Sequence, residues 1–302
     1  MSERTQDLEA QAEEPQPVRV LPSSRTRFRR RFLANTPAVA ALVFLLVLVA
    51  SAVLAPLLAP YEAEAISVID RLQPPTAQHL LGTDDLGRDV LSRLLFASRV
   101  SLGAAAMAVG ISFVLGTPFG LLAGYLGGRW DTLMSRFADT LMSMPTLILA
   151  IGIIAAMGPG LTNAMIALGI VYSPRLFRVV RGATLAVRAE TFIEASISVG
   201  ASTTRIIKRH VLPNVLSPLI VQLSLMMAFA LLAEASLSFL GLGVVPPDAS
   251  WGVMLGRAFR DIRVSPYLIY WPGLAIASTT LAFNMLGDGL RDALGREIRT
   301  GK

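Results

Sequence analysis

The sequence predicts an all-α membrane protein of six transmembrane helices with both termini in the cytoplasm, and three observations carry that expectation. The chain has 302 residues, 53% of them hydrophobic and only 16% charged, with a mean hydropathy of +0.59, more apolar than a soluble domain with a solvated face. Several apolar runs reach the roughly 20 residues that a helix needs to cross about 30 Å of hydrocarbon. The basic residues gather at alternate ends of those runs, the pattern that marks cytoplasmic loops. Topology therefore accounts for the net charge of +6, and no nucleic-acid partner is expected. With no cysteine in the chain, disulfides, thiolate metal sites and cysteine nucleophiles are excluded.

Residues 1–37 read as a cytoplasmic tail. Glu3, Asp7, Glu9, Glu13 and Glu14 leave its first part too polar to bury a core, so it is expected to be disordered. Arg25, Arg27, Arg29, Arg30 and Arg31 then precede the run "AVAALVFLLVLVASAVLAPLL", which predicts the first spanning helix over 38–60. "ASA" at 50–52 resembles a signal-cleavage site, but the long polar lead and full spanning length predict that the segment is kept. Residues 61–99 are expected outside the cytoplasm. There Leu86, Val90 and Leu94, with Leu91 and Leu95 beside them, predict an amphipathic helix over 86–98. Asp84, Asp85 and Asp89 cluster where the positive end of that helix favours acids, a cation site being the weaker alternative.

Residues 100–288 hold five further helices. The second span, 101–128, is crowded with Gly and Ala and is expected to pack inside the bundle. Arg129, Asp131 and Arg136 mark an inner turn, the third span at 138–157 should kink at Pro145, and "GPG" at 158–160 turns the chain outside. The fourth span is expected at 162–180, the fifth at 215–240 and the sixth at 267–286, with 289–302 a basic cytoplasmic tail. No internal repeat is visible.

Between the fourth and fifth spans lies a basic segment, about 182–213, whose central stretch reads "EASISVGASTTRIIKRHVLPN". Residues 190–199 predict a short helix, Gly200 its stop, and Ser202 the cap of a second helix ending before Pro213, which should open a break. Such a knob suits either the surface of anionic lipid or a cytoplasmic partner. Glu194, Ala195, Ser196, Gly200, Leu212 and Pro213 resemble the Glu-Ala-Ala loop of ABC importer permeases, with Ser196 for the second Ala and His210 at the usual Ile. "LGTDDLGRDVLSRLLFASRVSLG", "GYLGGRWDTLMSRFADTLMSMP" and "AEASLSFLGLGVVPPDASWGVML" are similar to the second, C-type permease subunit of dipeptide, oligopeptide and nickel importers. The resemblance spans about 38–295 and implies a type I ABC importer transmembrane domain. It implies further that the loop, with Glu194, Ala195, Ser196, Gly200, Ala201, Leu212 and Pro213, couples the chain to ATPase subunits. It also implies a second, B-type permease, two ATP-binding subunits that carry ATP and Mg, an extracytoplasmic substrate-binding protein, and a bacterial or archaeal inner membrane. Di- or oligopeptides are the implied substrate, with nickel chelates or glutathione as alternatives.

No cofactor is expected on this chain itself. "GREIRTGK" at 295–302 has the wrong glycine spacing for a phosphate loop and no Ser or Thr after the lysine. Glu234, a carboxylate at membrane depth, either lines the translocation path or makes a structural hydrogen bond near the outer interface. Asn284 and Asp139 are weaker candidates of the same kind. Trp251 is expected to touch the binding protein or to anchor its loop among headgroups. His79 and His210 fall on opposite sides and cannot share a metal. A secondary transporter should show matched broken helices in two halves, and an intramembrane enzyme needs a paired nucleophile or carboxylates at depth; neither pattern is present.

Overall fold

The computed structural model describes residues 24–245 and 247–295. Among them there is no β-strand; helices make up the architecture, in the order α1 Ser24–Ala34, α2 Thr36–Val53, α3 Ala55–Leu58, α4 Val90–Leu126, α5 Gly128–Met142, α6 Thr146–Met157, α7 Leu161–Arg188, α8 Thr191–Ser198, α9 Thr203–Ile206, α10 Leu212–Phe239, α11 Trp251–Arg260 and α12 Tyr270–Gly295. The acidic stretch before residue 24 and the segment after 295, including nearly all of "GREIRTGK", lie outside the described residues.

The first break is built by Asn35. Its Oδ1 accepts from the amide of Ala38 at 3.1 Å, and Pro37 sits in the first turn of α2, where a missing amide costs nothing. Asp89 starts α4 in the same way, accepting from the Ser92 amide at 2.8 Å. The helix then runs 37 residues without interruption. The amphipathic helix expected over 86–98 is therefore not separate: residues 90–98 are the first turns of the second spanning helix, and residues 86–89 precede it as non-helical chain. No proline stands near residues 98–101 and Gly103 is accommodated within the helix, and period-based reading cannot see where a surface helix becomes a span.

α4 and α7 form the backbone of the bundle. Gly116, Gly120 and Gly124 fall one turn apart on α4, and a Cβ there would lie 2.7, 2.8 and 2.8 Å from the carbonyl oxygens of Ser173, Phe177 and Arg181. Only hydrogen fits in that seam, so the two helices approach backbone to backbone, as the small residues of the second span predict. At one end of the seam Arg181 donates to Asp131 of α5, Nη2 to Oδ2 at 2.7 Å.

Pro145 does more than kink the third span. α5 and α6 meet at 92°, because Pro145 has no amide for the carbonyl of Leu141 and the chain leaves helical geometry at that residue, ψ 128°. Pro213 does the opposite of what was expected: instead of a break, residues Ile207–Val211 form a π-helical turn that leads directly into α10. Widening by one residue relieves the clash between the proline ring and the preceding turn, and Asn214 Nδ2 donates to the His210 carbonyl at 2.7 Å. The last helix also exceeds expectation, running to Gly295 rather than ending near 286. Gly289 permits this, since a Cβ there would lie 2.1 Å from the Cβ of Ala38.

Three helical stretches are long and apolar enough to cross a membrane, Thr36–Val53, Val90–Leu126 and Thr203–Phe239, and a fourth if the bent pair α5–α6 counts as one span. α7 and α12 have the length but are diluted by Arg175 and Arg178 and by Ser278, Thr279, Thr280 and Asn284. Contacts define two ends of the bundle. One gathers residues 59–100 and 238–269, linked by Trp251 Nε1 to the Leu94 carbonyl at 3.2 Å and by the Tyr267 hydroxyl to the Gln73 carbonyl at 2.7 Å. The other holds the α1–α2 elbow, the α4–α5 turn and the α8–α9 loop.

Candidate functional site

The α8–α9 loop is a folded object. Gly200 has φ +80°, a left-handed conformation that glycine adopts without a Cβ penalty. Its amide donates to the Ile197 carbonyl at 2.9 Å and that of Ala201 to Ser196 at 3.1 Å, the paired bonds of a Schellman cap. Ser196 and Ser198 turn their hydroxyls back onto the carbonyls of Phe192, 2.7 Å, and Glu194, 3.0 Å, which suits small residues at those positions. Ile193, Ile206, Val211 and Val215 are wholly buried and seat the knob on the bundle. The upper face is the reverse: Glu194, Ala195, Gly200, Arg205, Lys208, Arg209 and Pro213 are exposed, and Val199 reaches 83% exposure beside Phe192 and Ile197. Leu212 and Ala201 are half-buried and belong to the seat. The structure thus brings the predicted loop residues together on one knob, with Glu194 pointing away from the protein.

Glu234 sits at the other end of the bundle. It is completely buried, its Oε1 accepts from the Ser238 hydroxyl at 2.7 Å, and the hydroxyls of Ser250 and Ser101 face the same carboxyl. Each serine is itself committed to backbone: Ser238 Oγ accepts from the Val244 amide at 3.1 Å, Ser101 Oγ from the Trp251 amide at 3.1 Å, and Ser250 Oγ caps α11 through the Val253 amide at 3.3 Å. The result is a polar knot joining α4, α10 and the start of α11. Sequence reading singled out Glu234 and missed its three serines, whose only signal was a run of small polar residues inside otherwise apolar motifs. Gly252 completes the knot, because a Cβ there would lie 2.5 Å from the Ala235 carbonyl.

Trp251 corrects an expectation. It is 1% exposed, with its indole spent on the Leu94 carbonyl, so it presents no surface to a binding protein or to headgroups; it packs α11 onto α4. Asn284 is half-buried on α12 and is not brought to Glu234. Asp139 pairs with Arg178 of α7 on the surface. The aspartates before α4 are likewise taken up structurally. Asp84 accepts from the amides of Leu86 and Arg88 at 2.9 and 3.0 Å and from Arg88 Nε at 2.8 Å. Asp85 meets Arg257 of α11 at 3.3 Å, and Asp89 meets His79 Nδ1 at 3.0 Å.

Comparison with known proteins agrees with this architecture. Residues 116–300 match the family described as the binding-protein-dependent transport system inner membrane component, and residues 23–75 match the N-terminal TM domain of oligopeptide transport permease C. Over 274 residues the chain is 44% identical to the glutathione transport system permease protein GsiD of Pectobacterium atrosepticum, covering 90% of this chain and 91% of the relative. The GsiD of Escherichia coli O6:K15:H31 is also 44% identical over 274 residues, with 90% and 89% covered. Among solved structures, the inward-facing MetNI methionine ABC transporter shares the fold with a TM-score of 0.55 at 20% identity, over 69% of this chain and 96% of that one. The chain therefore belongs to the inner-membrane permease family of binding-protein-dependent ABC importers, as a C-type member of its dipeptide, oligopeptide and nickel branch.

Proposed function

We propose that this permease forms half of a peptide-translocation pathway and couples it to ATP hydrolysis through the α8–α9 knob. The observation that carries the coupling role is the contrast between the two faces of that knob: a buried aliphatic seat fixed to α7 and α10, and an exposed face with Phe192, Ile197, Val199 and charged residues. Closure of a partner can re-aim membrane helices only through a rigid, packed element. The Schellman cap at Gly200 and the unbroken passage from α9 into α10 supply that rigidity. In this reading the chain spans a bacterial or archaeal inner membrane six times, with both termini and the knob in the cytoplasm. α7 and α12 are the two spans whose own hydropathy is low because neighbours shield them. The partners are a B-type permease, two ATP-binding subunits carrying ATP and Mg, and an extracytoplasmic binding protein; no catalytic residue is assigned to this chain. Glu234 is a structural clasp in this scheme rather than a path residue, and Asn284 remains the candidate for the path.

Short peptides are the proposed substrates. Glutathione is the specific peptide to test first, because the relatives at 44% identity bear glutathione transport names. The test is to purify the tagged permease from its native membrane and identify co-purifying subunits by mass spectrometry, then measure receptor-stimulated ATPase activity and uptake in proteoliposomes. Gly200→Pro and Glu194→Lys should leave the complex assembled in the membrane but impair uptake and its link to ATP hydrolysis. Normal stimulation and uptake in both variants would overturn the coupling role, while uptake by the permease alone would overturn the importer assembly.

A further inference from the structure

We infer that α1 is a binding site for anionic phospholipid, holding the start of the first spanning helix to the charged surface of the bilayer. Helix α1 reads SRTRFRRRFLA and contains no acid. Its arginines 27, 29, 30 and 31 form no ion pair within 4 Å of any described carboxylate, in contrast to Arg88, Arg93, Arg178, Arg181 and Arg257, which are all paired. Arg27 Nε and Arg31 Nη1 are buried without a hydrogen-bond partner among the described residues, whereas Arg29 and Arg30 are exposed and open to a ligand. Four guanidinium groups on three turns of helix repel one another, and an external anion would relieve that repulsion.

Position identifies that anion. One residue, Asn35, separates α1 from the spanning helix α2, and its cap fixes the elbow. α1 also rests against α12, so it is held at the membrane boundary rather than trailing into water. Arg29, Arg30 and Leu33 are exposed, and with Thr26 they line a shallow cleft of about 330 Å³. Phe28 and Phe32 stack beside them at 5.9 Å. Basic forks next to aromatic and aliphatic side chains match a headgroup phosphate with its first acyl carbons, the composition of interfacial helices. Basic residues next to a span act additively on anionic leaflets. The inference is independent of which side of the membrane α1 faces and of the transported substrate.

The test uses the permease complex as purified, placed in nanodiscs containing equal phosphatidylglycerol and phosphatidylcholine, with bound lipid counted by native mass spectrometry after stepwise delipidation. Wild type should retain phosphatidylglycerol preferentially, and a variant with Arg27, Arg29, Arg30 and Arg31 all changed to Gln should lose that preference, by up to about fivefold per arginine. The same four positions changed to Lys should keep most of it, since charge is preserved while the planar fork is lost. Salt near 1 M should weaken the preference by shortening the screening length to about 3 Å. If the fourfold Gln variant fails to insert, the single changes Arg29→Gln and Arg30→Gln, both on the exposed face, are compared with Arg257→Gln, a paired arginine at the opposite end. Equal retention of both lipids by wild type, or undiminished preference in the Gln variants, would overturn the inference. Displacement of the lipid by millimolar inorganic phosphate would overturn it also, by showing a site for free anions.

Discussion

Single residues decide two features of this permease. At Glu234 the arrangement makes a definite claim about what truncation does. Glu234→Ala removes the acceptor of the Ser238 hydroxyl and the carboxyl that the Ser101 and Ser250 hydroxyls face, so it should lower stability by about 1–3 kcal/mol through buried groups left without partners, read as an earlier thermal unfolding of the detergent-solubilised complex. Glu234→Gln keeps one acceptor oxygen and should cost less. A variant of normal stability that fails to transport would instead return Glu234 to the translocation path. Trp251 offers a second test at this scale: Trp251→Ala should cost about 3–5 kcal/mol, as expected for a buried aromatic, and the loss should be in folding of the permease, with receptor affinity unchanged in whatever complex survives. The sequence pointed to both residues, but the role of Trp251 depended on exposure. A tryptophan beside two prolines in an outer loop reads as interfacial until a neighbouring helix is known to cover it.

Helices and their junctions make the next set of claims. The α4–α7 seam should not tolerate side chains: Gly120→Val places carbon against the Phe177 carbonyl and the Val180 side chain, both 2.8 Å from its Cβ, and overpacking of this kind costs about 1–3 kcal/mol or more. Lower yield of assembled complex, with Gly103→Ala as a control because nothing lies within 4 Å of its Cβ, is the expected outcome. The π turn before Pro213 makes a different prediction. With Pro213→Ala the helix is free to adopt ordinary α geometry, which would rotate everything on the loop side by about 100° per residue of register. Ile206 and Val211 would then leave their seats, so uptake should fall while insertion is retained. Normal uptake would mean that the π turn has no part in coupling. At this scale the sequence was legible wherever a local rule sufficed: Gly200 ends α8 and Pro145 interrupts the third span, while the caps at Asn35 and Asp89 were seen only in the structure. It was misleading at Pro213 and at residues 86–98, where continuity depends on packing along the whole helix rather than on the residue at the junction.

The whole molecule makes one claim that can be tested with unusual ease, because the chain has no cysteine. Single cysteines at the exposed positions Arg209, on the knob, and Arg263, beyond α11, should react with a membrane-impermeant maleimide from opposite faces, Arg263→Cys in intact cells and Arg209→Cys only in inverted vesicles. Labelling of both from one side would overturn the six-span topology. By itself the sequence determined that the protein is a helical membrane protein, where its basic segments fall along the chain, and to which transport family its motifs point. These follow from composition, from charge at helix ends and from short motifs, all of which are properties of neighbouring residues. Only the tertiary structure decided that α4 is one helix of 37 residues, that three scattered serines gather at Glu234, and that Arg88, Arg93, Arg178, Arg181 and Arg257 find acids while Arg27, Arg29, Arg30 and Arg31 of α1 find none among the described residues. The physical reason is the same in each case: burial and pairing are set by residues 50 to 160 positions away, and no local pattern records which distant side chain will arrive.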